Sequence, residues 1–232
     1  MGIFSSKTSI EASAILKGKT DAHSHILFGV DDGIKTLEES LTALEYEEKL
    51  GIRSVWCTPH IMEEVENTTA ALKARFEELC KAYKGPIELH LAAEYMLDSV
   101  FDERLAARDL LTREDDMVMV ETRAAQPPMA FEQTLAEIQS AGYHVLLAHP
   151  ERYFYLDKDD YKRLHASGIR FQLNLPSLAQ QYGKVPYEKA LWLLENGMYH
   201  ALGSDCHRVS RFVEQCNAKT ISKKVCTSTV GL

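Results

Sequence analysis

The segment Asp21-Ala22-His23-Ser24-His25, followed by Asp31-Asp32-Gly33, places four candidate metal ligands, His23, His25, Asp31 and Asp32, within about a dozen residues. In an extended segment alternate side chains share a face, so His23 and His25 point the same way and can hold one ion. Imidazole is a common ligand for first-row metals, and carboxylates add charge neutralisation. An isolated pair of this kind is more often a surface feature ahead of an acidic turn. Further along, however, side chains of the same chemistry recur: His60 after Thr58-Pro59, then Glu94, Glu121, His149 before Pro150, and Asp205 and His207 after Gly203-Ser204. Each alone has an ordinary explanation, as a turn histidine, an ion-paired glutamate or a capping aspartate. Their recurrence at the ends of successive apolar segments does not. Carboxylates mixed with imidazoles, with no thiolate cluster, suit Mn, Fe or Zn in a hydrolytic site. About nine ligands exceed the needs of one ion, and a carboxylate such as Glu94 can bridge two.

The elements that must carry these residues are legible from periodicity. A strand from about Lys19 runs into the histidine pair. Thr36-Leu37-Glu38-Glu39 reads as a capping box, with Leu37, Leu41 and Leu44 at helical spacing and Gly51 as a stop. A strand over 52–58 and a helix capped at Asn67, with Leu72, Phe76, Leu79 and Tyr83 on one face, repeat the unit. Strands over 87–93, 117–120, 143–148, 169–173 and 199–202 follow. Helices are expected within 98–111, over 131–141 and 159–167, and over 186–195. Such alternation argues for a parallel sheet with helices outside. The candidate ligands follow strands one to five and seven, which favours a closed barrel with its site at the carboxyl ends of the strands. An open doubly wound sheet would gather its site at one switch point, and the glycine-rich turn of that fold is absent. Residues 1–17 read as a flexible leader, 18–212 as the barrel, and 213–232 as a tail of uncertain order without a clear helical face.

The chain of 232 residues, 45% hydrophobic, is long enough for one sizeable core. With 26 basic against 34 acidic residues its formal charge is −8, which disfavours nucleic acid and anionic membrane as partners. No apolar stretch approaches the ~20 residues needed to span a bilayer, and the N-terminus lacks the apolar core of a secretory signal, so a soluble, cytoplasmic protein is expected. Met1-Gly2-Ile3-Phe4-Ser5-Ser6 fits a crude myristoylation pattern, of consequence only in a cell with the transferase. The five cysteines are scattered and contain no Cys-x-x-Cys pair, which suits a reducing compartment. A cysteine-dependent tyrosine phosphatase needs an arginine six residues after its nucleophile. Those positions hold Glu63, Pro86, Phe212, Ser222 and Leu232.

Taken together, the His-x-His pair, the second-strand histidine, two glutamates, the fifth-strand histidine and the final Asp-x-His resemble the polymerase-and-histidinol-phosphatase (PHP) superfamily of metal phosphoesterases. Within it, His23-Ser24-His25-Ile26-Leu27 with Val30-Asp31-Asp32-Gly33, Thr58-Pro59-His60, Glu121 before Gln126-Pro127-Pro128, and Ala148-His149-Pro150-Glu151-Arg152-Tyr153 are similar to the bacterial capsule-type protein-tyrosine phosphatases, over residues 18–212. The resemblance implies a distorted TIM-like (β/α)7 barrel and three divalent metal ions, Mn in the first instance with Fe or Zn as alternatives. It assigns His23, His25, Glu94 and Asp205 to the first ion, Glu94, Glu121 and His149 to the second, and His60, His207 and either Asp31 or Asp32 to the third. Arg152 and Arg211 match positions that grip the phosphoryl group, and with Asp205 and His207 they form the implied catalytic set. The implied reaction is hydrolysis of phosphotyrosine on the tail of a bacterial tyrosine autokinase that controls capsule or exopolysaccharide assembly, by attack of a metal-bridging hydroxide. Two alternatives are a PHP-type enzyme acting on a small phosphomonoester such as histidinol phosphate, and a non-catalytic, metal-stabilised regulator that binds a kinase tail. Amidohydrolases also open with His-x-His, but their bridging lysine and sixth-strand histidine correspond here to Glu121 and Asn174. Oligomeric state is left open.

Overall fold

Strand and helix alternate along the chain. The computed structural model describes residues 7–229 and 232, and the Met1–Ser6 pattern lies outside them. A one-turn helix α1 (Ile10–Ser13) precedes β1 (Thr20–Ser24), α2 (Leu37–Leu50), β2 (Ser54–Cys57), β3 (His60–Ile61), α3 (Thr69–Ala82), β4 (Glu88–Leu91), β5 (Glu94–Met96) and α4 (Ser99–Ala107). Then come β6 (Met117–Glu121), α5 (Phe131–Ser140), β7 (His144–Leu147), α6 (Lys158–Ala166), β8 (Arg170–Asn174), α7 (Leu175–Leu178), α8 (Lys184–Glu195), β9 (Tyr199–Gly203), α9 (Val209–Asn217) and α10 (Lys223–Ser228). The capping box forms as read: Glu39 N donates to Thr36 Oγ1, the Glu39 carboxylate accepts from Thr36 N, and Gly51 ends α2 at φ +81°. The cap of α3 is Thr68 rather than Asn67. Asn67 instead donates from Nδ2 to Val30 O and His60 O, tying the first loop to β3.

Every strand pair is parallel, in an α/β arrangement with the orders β1-β2-β4 and β3-β5-β6-β7-β8-β9. The expected strands 52–58 and 87–93 each stop short and are followed by a second piece. Pro59, with no N–H to donate, interrupts the first. The pieces stay in step, because Ala92 N donates to Cys57 O and Glu94 N to Pro59 O. At the other side, Asp205 N donates to His23 O (2.8 Å) and Ser204 N to the Asp21 carboxylate (2.8 Å), fastening the end of β9 to β1. Strand β6 is buried along its whole length, the mark of a parallel strand covered on both faces.

Both ends of the chain contribute buried side chains where the structure describes them. Within the described residues the leader is not loose: Ile10 and Leu16 are buried, Glu11 pairs with Lys49 at 2.7 Å, and Thr8 bridges to Ile221. In the tail, 213–232, Cys216, Ile221 and Val225 are buried. Helix α9 straddles the expected boundary at 212/213, and Val209, Phe212, Val213 and Cys216, at i, i+3, i+4, i+7 spacing, seat it on the core. No helix among the described residues is long and apolar enough to cross a membrane.

Candidate metal centre

The ends of six strands deliver the polar cluster. His23 sits in β1 and His25 just after it, both fully buried. His60 opens β3, Glu94 opens β5, Glu121 closes β6, His149 follows β7, and Asp205 and His207 follow β9. Glu94 is the hub. Its Oε2 lies 3.1 Å from His23 Nε2, 3.2 Å from His25 Nε2 and 3.2 Å from His60 Nδ1, and its Oε1 lies 3.0 Å from His149 Nε2. Glu121 approaches His60 Nδ1 at 3.1 Å and His149 Nε2 at 3.7 Å. Asp205 Oδ1 faces His207 Nδ1 at 3.3 Å, His25 at 3.6 Å and His23 at 3.7 Å. Asp32 Oδ1 faces His207 Nε2 at 3.3 Å and His60 Nε2 at 3.6 Å.

Among the described residues three sets of donor atoms, each set within 4.8 Å of one another, have ligand chemistry: His25, Asp32, His60 and His207; His23, His25 and Glu94; His60, Glu94 and Glu121. The donors fit a cation better than one another. The Nε2 atoms of His23 and His25 meet at 3.1 Å, and His60 Nδ1 and Glu94 Oε2 are buried without a hydrogen bond although they are neighbours. Buried polar atoms left in this state are costly unless something else satisfies them. Imidazoles and carboxylates converging on shared points are donors suited to Mn, Fe or Zn.

A supporting layer fixes the imidazoles. Gln172 Oε1 lies 3.0 Å from His23 Nδ1 and accepts from His149 N (3.1 Å), while its amide nitrogen donates to Leu173 O, which sets the amide orientation. The amide thus holds the Nδ1 edge of His23 and turns its Nε2 toward the cluster. Asp31 does the same for His25, with Oδ2 at 2.7 Å from Nδ1, and also accepts from Gly33 N and His60 N. Of the two aspartates that sequence left open, Asp31 faces His25 Nδ1, Gly33 N and His60 N, and Asp32 lies in one of the three donor groups. Asp205 Oδ2 faces away from the histidines, toward Asn174 Nδ2 (2.9 Å), Arg152 Nη1 (3.2 Å) and Tyr182 OH (3.4 Å). Close packing demands glycine twice: a Cβ would come within 2.5 Å of His25 Cβ at Gly33 and of His23 Cβ at Gly203. His149 (φ +34°) and Asp205 (φ +50°) both hold left-handed backbone.

The charges are matched. Burial, the largest influence on both, opposes charge on His23 and His60, yet Glu94 and the neighbouring carboxylates lift each to about 9. Burial likewise opposes charge on Glu94, which His23 and His60 hold well below the usual carboxylate range. His149 moves down, through burial and then Arg152.

Beside the cluster, Asp32, Arg152, Tyr182, His207, Arg208 and Arg211 line part of a cavity of about 280 Å³. The structure thus gathers His23, His25, Asp32, His60, Glu94, Glu121, His149, Asp205 and His207, and sets Arg152 and Arg211 at the rim. Arg152 pairs with Asp205, not with Glu151 or Asp157. Gln172, Tyr182 and Arg208 do not stand out in the sequence, and Asn174 does so only as the counterpart of the amidohydrolases' sixth-strand histidine. Gln172 stands between Phe171 and Leu173 and Asn174 ends the same strand, which is a usable signal; Tyr182 lies in a turn and Arg208 precedes α9, positions that carry none.

A family model described as capsular polysaccharide synthesis, CpsB/CapC, matches residues 19–230. The chain is 31% identical over 196 residues to the tyrosine-protein phosphatase YwqE of Bacillus subtilis, covering 82% of this chain and 77% of that one. It is 28% identical over 203 residues to the tyrosine-protein phosphatase CpsB of Streptococcus pneumoniae, covering 82% and 83%. Among solved structures, those of YwqE and CpsB, described as unique metal-dependent tyrosine phosphatases, include a chain that superposes with a TM-score of 0.77 at 26% identity, covering 91% of this chain and 85% of that one. An amidohydrolase from Mycoplasma synoviae, with a TM-score of 0.52 at 13% identity over 97% of this chain and 90% of that one, shares the fold alone.

Proposed function

This chain belongs to the CpsB/CapC family of capsular polysaccharide synthesis, and from that premise we propose that it is a metal-dependent protein-tyrosine phosphatase acting on a bacterial tyrosine kinase of capsule or exopolysaccharide assembly. One observation supports the reading above others: the cluster centred on Glu94 and four imidazoles opens, through Asp32, Asp205 and His207, onto an arginine-lined cavity with room for a phosphoryl group. In this reading the two sheets are arcs of one distorted (β/α)7 barrel formed by residues 18–212, with β2–β3 and β4–β5 each counting as one broken strand. The ligands then sit at the carboxyl ends.

The cluster would hold three divalent ions, Mn in the first instance. His23, His25, Glu94 and Asp205 would take the first, Glu94, Glu121 and His149 the second with His60 Nδ1 alongside, and Asp32, His60 and His207 the third. When bound, the ions supply a nucleophile at neutral pH and offset charge on the transferring group. The chain's own residues do the rest. Gln172 and Asp31 keep His23 and His25 in the tautomer that leaves Nε2 free. Arg152 and Arg211 bind the phosphoryl oxygens, the planar guanidinium matching two of them at once. Tyrosine is a tolerable leaving group, so no dedicated acid is required. The substrate would be a phosphotyrosine-bearing kinase tail in the cytoplasm.

Purified protein assayed on a phosphotyrosine peptide and on histidinol phosphate, before and after chelation and Mn return, tests this. Turnover of the peptide that is lost with chelator, returns with Mn and survives Cys57→Ala is expected. Equal turnover after metal removal overturns the metal mechanism, preference for histidinol phosphate selects the small-substrate alternative, and absence of turnover with metals bound selects the regulator.

A further inference from the structure

We propose that Tyr182 is a positioning residue of the phosphoryl site, holding the Arg152 guanidinium on its ring face and closing, with its hydroxyl, the outer side of the Asp205 carboxylate. The inference rests on the reading of the arginine-lined cavity as the phosphoryl site. Tyr182 stands in the turn between α7 and α8, preceded by Gln180 at φ +61° and followed by Gly183 at φ +87°, and this bend puts its ring against the cavity. The Arg152 guanidinium carbon lies 4.5 Å from the centroid of that ring. A planar cation stacks on an aromatic face and loses its freedom to swing out of plane. Its Nη1 is tied to Asp205 Oδ2 at 3.2 Å, so ring and carboxylate together fix both the plane and the in-plane rotation of the fork. The remaining N–H groups are then aimed rather than mobile.

The hydroxyl completes the arrangement. Tyr182 OH (3.4 Å), Asn174 Nδ2 (2.9 Å) and Arg152 Nη1 surround Asp205 Oδ2, while Oδ1 faces His23, His25 and His207. The carboxylate is divided: one oxygen belongs to the arginine grip and the other to the imidazole cluster. Tyr182 touches both Arg152, through its ring, and Asp205, through its hydroxyl. Phosphate affinity, set by how well Arg152 is aimed, is therefore the quantity it controls.

Calorimetric titration of the metal-loaded protein with inorganic phosphate, together with KM and kcat on p-nitrophenyl phosphate, reads this out for Tyr182→Leu, Tyr182→Phe, Arg152→Ala and the Arg152→Ala/Tyr182→Leu pair. Loss of the ring face should weaken phosphate about tenfold, the equivalent of about 1.4 kcal/mol, and raise KM more than it lowers kcat. Tyr182→Phe, which keeps the face, should restore the phosphate Kd to within about threefold of the wild type, and Tyr182→Leu should add nothing once Arg152 is gone. Unchanged phosphate affinity in Tyr182→Leu overturns the inference, as does an equal loss in the Arg152→Ala background, or loss of bound metal by elemental analysis in place of weaker phosphate. If the leucine variant does not fold, Tyr182→Met, similar in reach but without a π face, gives the same reading. Wild-type turnover tests the phosphatase reading separately, so the two failures are told apart.

Discussion

Replacing Gln172 by leucine probes the supporting layer of the cluster without touching a donor. The side chains are close in volume, so little cavity opens. Two buried donors lose their acceptor: His149 N at 3.1 Å and His23 Nδ1 at 3.0 Å, in residues 2% and 0% exposed. An orphaned buried donor costs roughly 1–3 kcal/mol, so the fold should lose roughly 2–6 kcal/mol. For a chain of this size that is a fall in melting temperature on the order of ten degrees. His23 also loses the bond that fixes its tautomer, which for a ligating imidazole weakens metal binding by roughly 10–100-fold. Gln172→Glu keeps an acceptor for both donors and should retain metal affinity. The assay is a chelator-buffered Mn titration with parallel thermal melts. If Gln172→Leu bound Mn with the wild-type Kd and melted within a degree or two of it, the imidazoles would be oriented by something other than this amide, and the reasoning would fall.

The two neighbouring aspartates should separate cleanly. Asp32, with its side chain 73% exposed, should cost one equivalent of metal and little stability when changed to alanine, whereas Asp31→Ala strips the acceptor from His25 Nδ1, Gly33 N and His60 N and should lower the melting temperature. Elemental analysis and thermal melts check both, and the reverse pattern would exchange their roles. Glu151 gives a pH test. Burial, the largest influence, lifts its carboxyl to about 7, above its value in the unfolded chain, so its contribution to stability is full below about pH 4.5 and is lost as pH rises through 7. Glu151→Gln should therefore gain on the wild type between pH 5 and pH 8 by up to roughly 3 kcal/mol in urea unfolding. An equal difference at both pH values would mean that Glu151 is ionised in the fold.

Much of this architecture is written in local pattern. The strand ends at His25, His60, Glu121, His149 and Asp205 are visible because an apolar run stops and a charged or imidazole side chain follows. The capping box at Thr36 is visible because it is a four-residue device. What escaped depends on neighbours remote in sequence. Gln172 looks like a stray amide in a strand, and its partners are 149 and 23 residues away. Asp31 and Asp32 differ only in the direction the first loop gives them, which Asn67 and Gly33 help to set. Helix α9 is a different case: Val209, Phe212, Val213 and Cys216 have helical spacing, but a tail counted from 213 holds only the second half of it.

The left-handed backbone at His149 and Asp205 has a bearing on how such a centre can be borrowed. A non-glycine residue in this region carries a conformational cost of about 1–3 kcal/mol, and glycine, which would relieve it, brings no donor atom. Transplanting the nine side chains onto an unrelated parallel sheet would therefore fall short unless these two corners travelled with them. Their curvature, as much as their chemistry, is part of the recipe.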